Sequence, residues 1–223
     1  YILMKLLVFA RSYFQRVAGI VLALCFITTL GYFGNGVNGW FGNVRDRSRY
    51  QGLDATAFLK KENMADAEAI AWLKENITGR PVVLECWGSS YSFYERVSAM
   101  TGFPTVLGWQ THEWLWRSDA SGGFPAVVDE RRKDVLAIYY SQDEAEVREL
   151  IEKYNIDYIY IGVSERNIRG NDTVRDVYDS IQESRGLADS VNEELLRSLG
   201  EVVFETETGS YSGEACIIRV NQN

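Results

Sequence analysis

Residues 17–44 carry no charged side chain, Lys5, Arg11 and Arg16 stand before that run, and the rest of the chain is strongly acidic. A sequence divided in this way is built across a membrane boundary. A helix rising about 1.5 Å per residue needs roughly 20 apolar residues to cross the hydrocarbon, and residues 17–33, extended back through Phe14, come close to that. The exit holds Gly31, Gly34, Gly36, Gly39 and Gly42 among Tyr32, Phe33, Trp40 and Phe41, which suits an interfacial aromatic belt rather than more helix. The basic residues before the run place that side in the cytoplasm and residues 45–223 outside the cell membrane. A cleaved secretory signal and a buried core helix are the competing readings, but the exit has no clear small-x-small cleavage site. A second apolar stretch at residues 2–10 precedes the basic pair, so residues 1–44 read as the end of a polytopic region in a longer membrane protein.

Six of the 23 basic and one of the 31 acidic residues fall within the first fifty, which leaves 17 bases against 30 acids and a charge near −13 in residues 51–223. Such a domain offers nucleic acid no general electrostatic footprint. Only the collar Arg45, Arg47 and Arg49 suits lipid headgroups. Residues 45–62 read as a linker and residues 63–223 as one extracytoplasmic domain, long enough for a single well-buried core. Cys86 and Cys216 lie in apolar, strand-like contexts that suit buried free thiols, with an oxidised pair as the alternative. A single histidine cannot build a zinc site of the usual kind. The residues call for no cofactor in this chain, and a divalent metal in the parent protein stays open.

Helix and strand signals alternate from residue 63 onward. Asn63 with Asp66 caps a helix whose apolar face is Ala69, Trp72, Leu73 and Ile77, with Gly79 as its stop. Residues 81–86 read as a strand, and residues 104–107 as a second. Ser141 and Glu144 form a capping box ahead of the stripe Val147, Leu150, Ile151 and Tyr154. Residues 156–163 suit a strand covered on both faces. A further helix carries Val174, Val177, Tyr178 and Ile181, and another starts from a box at Ser190 and Glu193. Residues 201–205 and 215–220 then pair across a turn at 208–213. The expected fold is α/β, a three-layer domain with a mainly parallel sheet, preceded by one N-terminal transmembrane helix.

Residues 85–117 break these periodic rules. After the strand ending near Cys86, residues 87–90 form a strand-to-helix turn, with Ser89 or Ser90 capping the helix that holds Tyr94, Glu95 and Arg96. The second strand ends in the same way, at residues 108–117. In an open α/β sheet the loops at the carboxyl ends of strands form the ligand crevice. Two neighbouring parallel strands would then gather Tyr91, Glu95, Arg96, Trp109, His112, Glu113, Trp116 and Arg117. The set suits a phosphorylated sugar or polar lipid, since guanidinium forks bind phosphate, carboxylates take hydroxyl protons and indole faces pack on sugar rings. Plainer roles compete. Trp109, Trp114 and Trp116 also suit packing against the membrane part or the lipid interface, Glu95 with Arg96 and Glu113 with Arg117 at i, i+4 suit ordinary ion pairs, and His112 suits a hydrogen-bonded structural group. Arg131, Arg132 and Asp134 suit a solvated face, from which an arginine could reach a phosphate. Ser89, Ser90 and Ser92 lack the G-x-S-x-G frame of a nucleophile elbow. Asn76-Ile77-Thr78 and Asn171-Asp172-Thr173 match the glycosylation acceptor pattern.

Gly88-Ser89-Ser90-Tyr91-Ser92, Arg96-Val97-Ser98-Ala99, residues 101–109 (TGFPTVLGW) and residues 112–117 (HEWLWR), with Gly52-Leu53-Asp54, Ile70-Ala71-Trp72-Leu73, Arg131, Asp134-Val135, Ile138-Tyr139, Lys153-Tyr154, residues 158–162 and Glu165-Arg166, carry a resemblance. Over most of residues 50–166 the chain resembles the YYY family of multi-pass membrane proteins, a group of unknown function related to the GT-C class of lipid-dependent glycosyltransferases. The resemblance implies a large parent whose C-terminal external domain follows the last membrane helix and helps bind or orient substrate. In GT-C enzymes the sugar comes from a polyprenyl-phosphate carrier and the catalytic acid lies in an early external loop. This chain does not contain that loop, so by itself it is expected to perform no catalysis. Its expected partners are the rest of its own polytopic chain, the bilayer, a polyprenyl-phosphate sugar and an acceptor. The rival readings are a docking or structural module, and a membrane-anchored sugar-binding or hydrolytic domain.

Overall fold

The computed structural model of the chain describes residues 5, 12–42, 56–118, 123–206 and 213–221. The chain divides into two compact units, Tyr1–Asp54 and Ala55–Asn223. The collar Arg45, Arg47 and Arg49, most of the expected linker and turn residues 208–212 lie outside the described residues.

In the first unit, helix α1 runs over Tyr13–Phe41 from a capping box made by Ser12 and Gln15. Residues Tyr13–Trp40 are long and apolar enough to cross a membrane, a property shared by membrane anchors and signal sequences. The helix does not stop at the glycine-rich exit, contrary to expectation, but continues through Gly31, Gly34, Gly36 and Gly39 to a break at Gly42 (φ 67°). Glycine weakens a helix without blocking it, and no proline removes a backbone donor along this stretch. Thr28 and Thr29 turn their hydroxyls back to the Cys25 and Phe26 carbonyls, so neither carries an unpaired polar group into an apolar setting.

The second unit is mixed α/β. Helices α2 (Ala57–Glu62) and α3 (Met64–Asn76) lead into β1 (Val82–Leu84), and α4 (Arg96–Thr101), α5 (Gln110–Arg117), α6 (Ala126–Tyr140) and α7 (Glu144–Lys153) follow. Next come β2 (Ile156–Ile161), α8 (Val163–Arg166), α9 (Asp172–Arg185), α10 (Glu193–Ser198), β3 (Gly200–Glu205) and β4 (Cys216–Val220). The strands lie in the order β1-β2-β4-β3. Only β1 and β2 are parallel, with Leu84 opposite Ile159, whereas β4 runs antiparallel to both β2 and β3. The sheet is therefore mixed rather than mainly parallel. The expected strand at 104–107 does not form, and only the Val83 N–H to Pro104 carbonyl bond (2.9 Å) ties that segment to β1. Pro104 has no N–H to give a ladder.

Alternation along the strands sorts the core into two clusters. Leu84, Ile159, Ile161, Cys216 and Ile218 join Val135, Val147 and Tyr178 of α6, α7 and α9. Val83, Tyr160 and Ile217 join Leu59, Ile70, Leu73 and Val97 of α2, α3 and α4. Asn63 caps α3 through Asp66 as expected, but α3 ends at Asn76, ahead of Gly79. Two other starts differ from their expected boxes. Asp143 rather than Ser141 caps α7, and Asn192 rather than Ser190 caps α10. In both, a carboxylate or amide stands beside the first turn and reaches its free N–H groups directly.

Cys86 and Cys216 are buried free thiols on opposite sides of β2. Two strand spacings of about 4.8 Å exceed the reach of a disulfide, which needs Cα atoms within about 7 Å. The oxidised alternative is thereby excluded. Burial raises both thiol pKa values, that of Cys216 to about 11.

Arg96 sits at the centre of a buried charge cluster. Its guanidinium pairs with Asp66 of α3 and with Glu165 of α8 (2.9 Å), and it lies over the Tyr160 ring. The Tyr160 hydroxyl donates to Asp66, and Glu165 also accepts from the Cys86 and Gly162 N–H groups. Beside it, Glu85 accepts from the Val97 and Ser98 N–H groups at 2.8 and 2.7 Å and so caps α4 from the end of β1. The expected Ser89 or Ser90 cap is not used. Removing one member of such a cluster strands the others in low dielectric, so Arg96→Ala is expected to cost about 3–5 kcal/mol in denaturant unfolding of the chain.

Burial pushes the Glu85 carboxyl up to about 7, against the downward pull of Ser98, Arg96 and Val97. A carboxyl raised on folding stabilises the fold fully below its unfolded value of 4.5, and that stabilisation is lost as pH rises through 7. Stability is expected to fall by roughly 3 kcal/mol between pH 4.5 and 8 on this account. Denaturant midpoints measured across that range should fall less in Glu85→Gln.

Candidate functional site

The turn after β1 begins with Cys86 and Trp87, both buried, and is forced close by two glycines. A β-carbon on Gly88 would meet the Tyr94 ring at 2.3 Å, and one on Gly108 would meet the Glu95 carboxylate at 2.2 Å. Between them the backbone turns left-handed at two residues that bear side chains, Tyr91 (φ 59°) and Glu95 (φ 64°). Left-handed conformations cost non-glycine residues about 1 kcal/mol or more and persist where the surroundings over-determine them. Here Glu95 is held because its carboxylate accepts the Trp109 N–H at 2.8 Å, while the Trp109 indole N–H donates to the Tyr94 carbonyl at 2.8 Å.

These bonds fix α5 against the turn and assemble three rings. Tyr91, Trp109 and His112 stand with centroids 5.3, 5.1 and 5.3 Å apart, and the imidazole meets both other rings edge to face. Tyr91 is 82 % exposed. Glu113, one turn along from Trp109 on α5, binds Arg117 at 2.5 Å in the ordinary i, i+4 pair. Burial raises the Glu95 carboxyl and Glu113 pushes it further up, against the Trp109 N–H and His112. Glu95, His112 and Glu113 thus share one electrostatic neighbourhood.

Of the other predicted residues, Arg117 stays with this group through Glu113, whereas Arg96 leaves it. Trp116 continues the α5 stripe but is 87 % exposed, beside Leu115 at 61 %. Arg96 turns inward to the cluster with Asp66 and Glu165, which consume the donors a phosphate would need. The strained turn and the carboxylates of Glu85 and Glu165 escaped the sequence argument. Their one signal is a lone acid inside the apolar run 81–86.

Chemically the group offers stacking faces, hydroxyl-binding carboxylates and one cation. Among the described residues it does not offer a serine paired with the histidine. The Ser89 hydroxyl lies by Asn171 and Thr173, at 3.4 and 3.3 Å. No group of three metal-ligating side chains occurs among the described residues. A hollow of about 300 Å³, lined by Arg148, Ile151, Ile156 and Leu199, opens at the start of β2, at the other end of the strand from the ring group. None of the predicted residues lines it.

The close approach at Gly108 makes a direct test of this frame. Gly108→Ala is expected to drive the Glu95 carboxylate off the Trp109 N–H, destabilise the chain by about 1–3 kcal/mol and weaken its near-ultraviolet circular dichroism.

No protein family and no curated protein match the sequence. Among solved structures, the chain is similar to the C-terminal globular domain of the oligosaccharyltransferase of Archaeoglobus fulgidus, with 15 % identity and a TM-score of 0.42 over 71 % of this chain and 97 % of that one.

Proposed function

We propose that the second unit is the C-terminal external domain of a GT-C-like membrane glycosyltransferase and that its ring group binds or orients a sugar-bearing substrate. The observation that carries the site is Tyr91, exposed and held in a strained backbone conformation beside Trp109 and His112. Strain kept at a solvent-facing aromatic is a mark of a recognition surface, and rings with carboxylates beside them suit the two faces of a pyranose. In this reading Tyr91, Trp109 and His112 stack on the sugar, Glu95 and Glu113 accept hydroxyl protons, Arg117 orients Glu113, and Arg96 braces the turn from inside. The length and apolar character of α1 support reading it as a membrane anchor, and in this reading the domain lies outside the cytoplasm and its partners are the rest of a polytopic parent, the bilayer, a polyprenyl-phosphate sugar and an acceptor.

Tyr91→Ala is expected to weaken glycan binding by the chain, or sugar transfer by its parent, about tenfold without changing the unfolding free energy by more than about 0.5 kcal/mol. Unchanged binding and transfer in the Tyr91→Ala, His112→Ala double variant would remove the site. The exposed pair Leu115 and Trp116 favours a second reading, docking of α5 at a lipid interface. Trp116→Ser would then reduce co-flotation of the chain with lipid vesicles and leave glycan binding intact.

A further inference from the structure

On the other side of α5 lies an arginine with no side-chain hydrogen bond among the described residues. Arg132 of α6 is flanked by two ring faces, with its guanidinium carbon 5.0 Å from the Trp87 centroid and 4.6 Å from that of Phe124. Phe124 in turn stacks nearly parallel on Trp114 of α5. The Arg132 side chain is only 13 % exposed, and its Nε is buried with no partner. Its one acidic neighbour, Asp129, stands 3.9 Å away and is committed to Lys133 at 2.6 Å. Arg96, Arg166 and Arg185, by contrast, each bind a carboxylate at 3.0 Å or less.

A mostly buried cation that makes no hydrogen bond is expensive unless something outside the chain completes it. The two ring contacts and the burial of Nε leave Nη1 and Nη2 as the donors open to a ligand. These two form the end-on fork, a geometry matched to two oxygens of an oxyanion. Phe124 stands beside the guanidinium and links it, through Trp114, to α5. That aromatic setting suits a phosphate attached to an organic body better than a bare ion.

We propose that Arg132 is an anion seat that holds the phosphate of an organic phosphate end-on between Trp87 and Phe124. Burial lowers the guanidinium pKa against the pull of Asp129, the direction expected of a cation lacking a close counter-ion. The seat stands on the packing of α5 and α6 and does not depend on the ring group around Tyr91.

The test uses the full chain in detergent, titrated calorimetrically with inorganic phosphate and with glycerol 3-phosphate. A parallel arm follows co-flotation with zwitterionic vesicles carrying phosphatidic acid. Saturable binding by the wild-type chain, weakened at least tenfold in Arg132→Gln and less in Arg132→Lys, is expected, with Tyr91→Ala binding as wild type. Stronger capture by phosphatidic acid than by glycerol 3-phosphate would identify the phosphate as a lipid headgroup, and the reverse would identify a soluble ester. Arg132→Met should lose the phosphate-induced rise in Tm, because the cation that would bind the phosphate is gone. No saturable binding in either arm, wild-type affinity in Arg132→Gln, or a retained Tm rise in Arg132→Met would overturn the proposal.

Discussion

The packing of this domain turns on a single guanidinium. Arg96 is placed at the first residue of α4, between Asp66 of α3 and Glu165 of α8, so that one cation ties a helix from before the sheet to a turn that leaves β2. Tyr160 and the Cys86 and Gly162 N–H groups saturate the remaining acceptors. Such a cluster is poor evidence for stability in itself, since desolvation offsets much of the attraction. Its effect is positional, because each carboxylate has one arrangement of donors and the backbone at residues 85–97 has little freedom left.

That rigidity reaches the surface by a short route. Glu85 and Arg96 anchor the two ends of the turn after β1, and the chain between them closes only by taking left-handed backbone at Tyr91 and Glu95. Glu95 then catches the first N–H past Gly108, and α5 begins there with Trp109 already beside Tyr91. The same helix turns Trp114 toward Phe124 and the stacked Arg132. One buried charge cluster thereby orders a helix with a different chemical surface on each side, rings and carboxylates on one and a caged cation on the other.

Much of the framework could be read from local pattern. Asn63 and Asp66 announced α3, the stripe Val147, Leu150, Ile151 and Tyr154 announced α7, and the apolar run at 156–163 contained β2. Each is a signal within one or two turns of chain. Failures came where a local signal was weaker than it looked or the deciding partner lay far off. Gly31 to Gly39 looked like a helix exit, yet an uncharged stretch without proline had nothing to end the helix before Gly42. Residues 104–107 had strand composition, but Pro104 could not supply a ladder and antiparallel β4 became the second neighbour of β2. Arg96 and Arg132 each exchanged the role that composition suggested. Residue type carries charge and reach, while accessibility is set by which elements close over the side chain.

What the residues alone determined is the division of the chain into an uncharged helix-forming segment and an acidic α/β domain, because hydropathy and periodicity act over the length of single elements. The gathering of Tyr91, Glu95, Trp109, His112 and Glu113 was foreseeable as composition but not as geometry. The tertiary structure alone decided that β4 runs antiparallel beside β2, the inward turn of Arg96 and the ring contacts of Arg132. Those outcomes depend mainly on contacts between residues far apart in the chain, such as Asp66 with Arg96 and Trp87 with Arg132, where burial and partner geometry outweigh any preference the local sequence expresses.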